Sequence, residues 1–235
     1  MKGRTSWIGL FIACSIGVRS AASAAAPAAP PASYSIEEKY TQKSPDGATT
    51  IEQYLNKDTD DWKWQFWVRG QGSFTLLDPE PAGYSADFVF TSDLKWIVRV
   101  QKIGSGTSTL HLYRLTPQGT LRAGKKPLGD LAWDYLKTRP DWRKLVKAPE
   151  YHDSVYLLKG LEENYRGHGV DWPANRYVLI ALSADADVKG RKPMQTRVVH
   201  GWRCRYDLQT GKFDAPALFS DHNAKAVVPR SPGAL

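Results

Sequence analysis

Cysteine is nearly absent from this 235-residue chain, which carries only Cys14 and Cys204. Two cysteines exclude the disulfide framework of small secreted domains and the four-cysteine zinc modules. Long apolar runs are missing as well. The longest, residues 7–18, falls short of the ~20 residues a spanning helix requires. No G-x-S-x-G, H-E-x-x-H, phosphate loop or dinucleotide fingerprint occurs, so the familiar catalytic signatures give no lead. The five histidines (His111, His152, His168, His200, His222) have no metal-ligand spacing, and neither a metal nor a cofactor is expected. Dense basic runs are lacking too. Residues 122–126, 143–147 and 189–192 hold only short clusters, so a nucleic-acid partner is not expected from a formal charge of +8.

What is present begins with a leader. Lys2 and Arg4 precede the apolar stretch 7–18, and Ala22-Ser23-Ala24 forms a small-residue cleavage site. This is the layout of a secretory signal peptide over residues 1–24, followed by an Ala/Pro-rich linker over 25–33. The mature chain is then secreted or periplasmic. Phe11-Ile12-Ala13-Cys14 is a poor lipoprotein box, and lipid anchoring through Cys14 is not expected. Removal of the leader takes Lys2, Arg4 and Arg19 with no acid, lowering the formal charge to +5. It also leaves Cys204 as the lone thiol. On the strand Trp202-Arg203-Cys204-Arg205-Tyr206 it shares a face with two aromatics, which suits a buried small hydrophobe.

The remainder reads as strands. In residues 85–122, Trp96, Val98 and Val100 share one face, while Lys95, Ile97, Arg99 and Gln101 share the other. That period of two predicts half-buried strands at 88–91, 96–102, 109–115 and 120–122, separated by turns at Gly104-Ser105-Gly106 and Pro117-Gln118-Gly119. Upstream, Ser44-Pro45-Asp46-Gly47 opens a similar order. Strands are expected there at 34–42, 48–56 and 62–68, the last carrying Trp62, Trp64 and Phe66 on one face and Trp67 on the other. Such a strand is usually central, although an aromatic platform for sugar rings has the same pattern.

Two landmarks hold one offset. Asp46 to Asp93 and Gly72 to Gly119 are each 47 positions, and a third copy around residues 173–213 carries about ten extra residues in a loop at 184–195. Strand–loop–strand–turn units of this length resemble propeller blades in layout, without any WD or kelch residue set. The expected fold is therefore mainly β: antiparallel meanders in a propeller-like stack of three or four blade-like units. The alternative is a two-layer sheet or sandwich with helical cover. Residues 128–147 form a small helical insertion, with Leu128, Leu131, Tyr135 and Leu136 as its stripe and Asp130 as N-cap candidate. A single domain spans 34–228, with a short helix near Ser220-Asp221 and a frayed tail at 229–235.

For function, the polar loop 160–176 is the first place to look, since binding groups concentrate on loops held by a rigid sheet. Arg166, His168, Trp172 and Arg176 form a candidate binding set for an anionic sugar or a peptide carboxylate. Glu162, Glu163, His168 and Asp171 are the weaker candidates for acid–base work in an envelope-polymer hydrolase or lyase. The acidic stretches Asp58-Asp60-Asp61 and Asp185-Asp187 lack the rest of a calcium loop. The leading expectation is an exported, non-catalytic binding or interaction module of the cell envelope. The others are the hydrolase or lyase and a purely structural envelope protein.

Overall fold

The computed structural model describes residues 29–58, 62–70, 72–116, 119–158, 176–189 and 195–230. They form three antiparallel sheets in chain order, each a meander. The first contains β1 (Tyr34–Ile36), β2 (Gln42–Lys43), β3 (Thr49–Asn56), β4 (Lys63–Gly70) and β5 (Ser73–Leu76). The second contains β6 (Ala86–Phe90), β7 (Trp96–Gly104), β8 (Thr107–Thr116) and β9 (Gly119–Arg122). After the helices α1 (Leu128–Thr138) and α2 (Pro140–Lys144) comes the third. Its strands are β10 (Tyr151–Leu157), β11 (Tyr177–Asp187), β12 (Gln195–Asp207) and β13 (Lys212–Asp214), followed by helix α3 (Ser220–Lys225).

The three units share their turn chemistry. Gly72, Gly119 and Gly211, each at the turn into the last strand of its sheet, all have positive φ, from +68° to +124°. Only glycine adopts that backbone without steric cost. The strand expected over 34–42 is interrupted by a 3-10 turn at Glu38–Tyr40, so that β1 and β2 pair in succession with β3. Buried Gln53 fills the break, its Nε2 donating to the Tyr40 carbonyl at 2.8 Å. The loop expected at 184–195 is shorter than its ten extra residues suggested. β11 runs on to Asp187 and β12 begins at Gln195, so about half of the extra chain lengthens the two strands.

Two apolar clusters join the sheets. Ile51, Trp64, Phe66 and Val68 of the first sheet pack against Phe88, Phe90, Ile97 and Tyr113 of the second. Phe66 meets Phe88 edge to face, with centroids 5.5 Å apart. The opposite side of the second sheet, through Val98, Leu110 and Leu112, belongs to one cluster with α1 and with Ile180 and Leu182 of β11. Both faces of the second sheet are thus covered. The half-buried strands predicted there are fully buried in their middle, since Ile97, Val98, Leu110 and Tyr113 are all at 0 % exposure.

Polar side chains complete the seams. β6 is an edge strand, and its outward amides at Ala86 and Phe88 donate to Gln53 Oε1 and Gln42 Oε1 of the first sheet. Ser108 Oγ donates to the Val155 carbonyl, and Ser154 Oγ to that of Gly106, across the second seam. Satisfied edges are closed to further strand pairing. On β12, Asn223 of α3 takes both backbone groups of Arg203, receiving its N–H and donating to its carbonyl. The helix caps differ from expectation. Pro127 and Phe219 hold the N-cap positions of α1 and α3, neither with a side-chain cap, while Asp130 and Asp221 sit inside the first turns.

Candidate functional site

Of the loop candidates, Arg176 alone is described; Glu162, Glu163, Arg166, His168, Asp171 and Trp172 lie outside the described residues. Arg176 is engaged. Its Nε and Nη2 donate to Asp207 Oδ2 at 3.2 and 3.0 Å, and its guanidinium lies over the Tyr177 ring. Asp207 Oδ1 in turn accepts the Gln209 amide in the turn before β13, so the pair ties the start of β11 to that turn.

A different constellation emerges from the second sheet. Alternation places Arg99 and Gln101 of β7 on the same face as His111 and Tyr113 of β8, and Arg99 stands directly opposite His111 in register. Arg122 of β9 stands opposite Tyr113. A surface-facing position would leave these polar groups in water. Instead the connection between the first two sheets, residues 77–85, folds back over them. It is pinned at Ala82, whose N–H and carbonyl bond the carbonyl and N–H of Trp64 at 2.8 and 2.7 Å. Pro79 and Pro81 stiffen it by fixing φ.

This loop brings Asp78, 7 % exposed, onto the arginines. Arg99 Nη1 donates to Asp78 Oδ2 at 2.6 Å, Tyr113 Oη donates to the same oxygen, and Arg122 Nη1 lies 3.6 Å from Oδ1. The Arg99 guanidinium also lies 4.9 Å from the centroid of the Phe66 ring, an attraction that strengthens when water is excluded. Burial, reinforced by Asp78, raises the Tyr113 phenol far above its ordinary value, so it stays protonated and donating. Arg122 Nη2 lies 3.3 Å from His111 Nδ1. Because a guanidinium only donates, Nδ1 is the acceptor and the imidazole carries its proton on Nε2. Burial, then the charges of Arg99 and Arg122, push the His111 pKa down to about 3, so the ring is neutral near pH 7.

These residues floor a cleft of about 580 Å³. Arg99, Lys102, Arg122 and Lys125 line it against the two carboxylates Asp78 and Glu80, which leaves an excess of positive charge. Two of its buried polar atoms, Arg99 Nε and Gln101 Oε1, have no hydrogen-bond partner. Orphaned groups of this kind cost ~1–3 kcal/mol each unless water or a ligand meets them. Sequence reasoning passed over this cleft. It placed Arg99 and Gln101 on one face of a strand, but nothing local links that face to Asp78. The available signal was a doubly proline-braced Asp-Pro-Glu-Pro between two strand patterns.

Among the described residues no three His, Cys, Asp or Glu side chains are grouped to hold a metal ion. No described helix is long and apolar enough to cross a membrane. Asp185 of the calcium-like stretch is paired with Arg197 at 2.6 Å. Comparison with known proteins finds no matching family, no matching curated protein and no matching solved structure.

Proposed function

We propose that this chain is an exported, non-catalytic binding module of the cell envelope, built of blade-like meanders, whose described binding site is the cleft beneath residues 77–85. The ligand is anionic. The observation that carries this reading is the excess of cations lining a concave site, with Lys102, Arg122 and Lys125 exposed and Arg99 buried beneath them, against the carboxylates of Asp78 and Glu80. A carboxylate accepts charge-assisted hydrogen bonds from guanidinium groups in the geometry they present. Binding is favoured over proton transfer because the ionisable groups are committed to one another. Asp78 accepts from Arg99 and Tyr113, and His111 accepts from Arg122. Export is supported by the leader pattern of residues 1–24, and N-terminal sequencing of exported protein should begin near Ala25.

Calorimetric titration with galacturonate, citrate and inorganic phosphate tests the site. Saturable binding that weakens with added salt is the expected result. Arg122→Gln, which removes the charge of a partly exposed side chain, should reduce affinity for whichever anion binds. Absence of saturable binding by any of the three at millimolar concentration would overturn the proposal.

A further inference from the structure

The cleft does not end at Tyr84. A second groove of about 620 Å³ begins there, sharing Gly83 and Tyr84 with the first and continuing past Trp62. Its rings are unusually open, with Trp62 at 59 % and Tyr84 at 41 % exposure. Trp62 immediately precedes a strand whose Trp64, Phe66 and Trp67 are all buried. One exposed aromatic needs no explanation, but two along one groove beside a cationic cleft form a surface with a distinct chemical preference.

Resting on the anion-binding reading above, we infer that the ligand is an acidic oligosaccharide. One uronic acid residue sits in the arginine cleft, and neighbouring sugar rings lie on Trp62 and Tyr84. The exposed cations lining the cleft, Lys102, Arg122 and Lys125, supply the donors that a sugar carboxylate accepts. The adjoining aromatic faces suit the apolar C–H face of a pyranose ring, while its hydroxyls remain in water. An extended peptide fits less well. It would add to a free strand edge, yet at the groove wall both backbone groups of Trp64 are already bonded to Ala82.

The test compares uronate monomers with four-sugar oligomers drawn from galacturonate, mannuronate and glucuronate polymers. A neutral glucose tetramer and a glutamate tetrapeptide serve as competitors, all titrated against the full chain by calorimetry. At least one acidic tetramer should bind about fivefold more tightly than its own monomer, the contribution of ring stacking. Trp62→Ala should abolish that gain while leaving monomer affinity within about twofold, because the residue lies outside the charged cleft. Tyr84→Ala should reduce the gain as well, and unchanged thermal melts will show that both variants are folded. Monomer binding with no gain on lengthening would overturn the oligosaccharide inference and leave the anion site standing. So would an undiminished gain in Trp62→Ala, or equal binding of the neutral tetramer or the tetrapeptide. Failure of every anion, monomers included, would instead overturn the site itself.

Discussion

Asp46 and Asp93, 47 positions apart, close the same hydrogen-bonded turn in two different sheets. Asp46 Oδ1 accepts from Ser44 Oγ at 2.5 Å and the Ala48 amide at 3.1 Å; Asp93 Oδ1 accepts from Thr91 Oγ1 at 2.7 Å and the Lys95 amide at 3.2 Å. The hydroxyls repeat as well, each accepting the amide five residues on, at Thr49 and Trp96. Even the backbone corresponds. Gly47 at φ +71° has its counterpart in Leu94 at φ +57°, the one described non-glycine residue with positive φ. A turn that tolerates leucine in the left-handed region is held by its surroundings, here by Leu94 packing against the cluster between the first two sheets.

From this follows a pair of substitutions. Asp46→Ala and Asp93→Ala should each lower stability, since each removes the acceptor of two hydrogen bonds in its turn. Gly47→Ala should cost about 1 kcal/mol through backbone strain alone. No atom stands within 4 Å of the added Cβ, so steric clash does not enter. Urea unfolding of the three variants checks this, and an effect near zero for either aspartate would mean its turn forms without the carboxylate.

Neighbouring tryptophans should part company. Trp64 is 6 % exposed and meets Tyr40 edge to face at 5.2 Å, whereas Trp62 is largely open. Trp64→Ala should cost roughly 3–5 kcal/mol, the range for emptying a large aromatic site in a core. Trp62→Ala should stay within about 0.5 kcal/mol, as for surface positions generally. Thermal or urea denaturation separates the two, and similar losses would refute the division between core and groove.

Cys204 is fully buried on β12, and burial raises its thiol far above the ordinary value, with the charge of Asp214 adding to the effect. The thiolate is the reactive form, so the native protein should resist a disulfide reagent near neutral pH. Unfolding in urea should release one thiol per chain in exported protein beginning near Ala25, and two if Cys14 is retained. Rapid modification of the native protein would contradict the burial.

How far the fold could be read from sequence depended on the range of the forces involved. Alternation at Trp96–Gly104 and Thr107–Thr116 is a local signal, and the two strands lie within a few residues of the predicted bounds. The 47-residue offset was visible because the turn needs an aspartate, and a later turn needs a glycine at positive φ. Burial of Arg99, Gln101 and His111 was not visible. Their alternation implies a wet face, and only the fold-back of residues 77–85, anchored on Trp64 about twenty positions earlier, makes it dry. Capping misled for a related reason: Asp130 looks like a cap by residue type, but Pro127 with its fixed φ opens the helix three positions sooner. The loop 160–176 was singled out by composition; of its candidates Arg176 alone is described, and it pairs with Asp207.

Acid should act on the cleft through His111. Its folded pKa is about 3, set by burial and then by Arg99 on β7 and Arg122 on β9, with Asp78 and Tyr113 in the same network. In the unfolded chain a histidine titrates near ~6.5. Between these values the unfolded state holds a proton that the folded state refuses. Stability is therefore fully present above about pH 6.5 and is lost as pH falls toward 3, with a limiting slope of ~1.4 kcal/mol per pH unit. His111→Gln removes the titration but keeps a group able to accept from Arg122. Urea unfolding at neutral pH and again near pH 4.5 should show wild type losing more stability than the variant. Carboxylates such as Glu52, held low by its hydrogen bond from Arg69, lose their contribution in both proteins, so the difference isolates His111. Equal losses would mean that the imidazole titrates normally and that the cleft floor is wetter than its geometry implies. A bound carboxylate would reverse part of the effect, because negative charge beside the ring favours the imidazolium. Saturating uronate should accordingly shrink the difference between wild type and variant, linking the acid response of the fold to occupancy of the site.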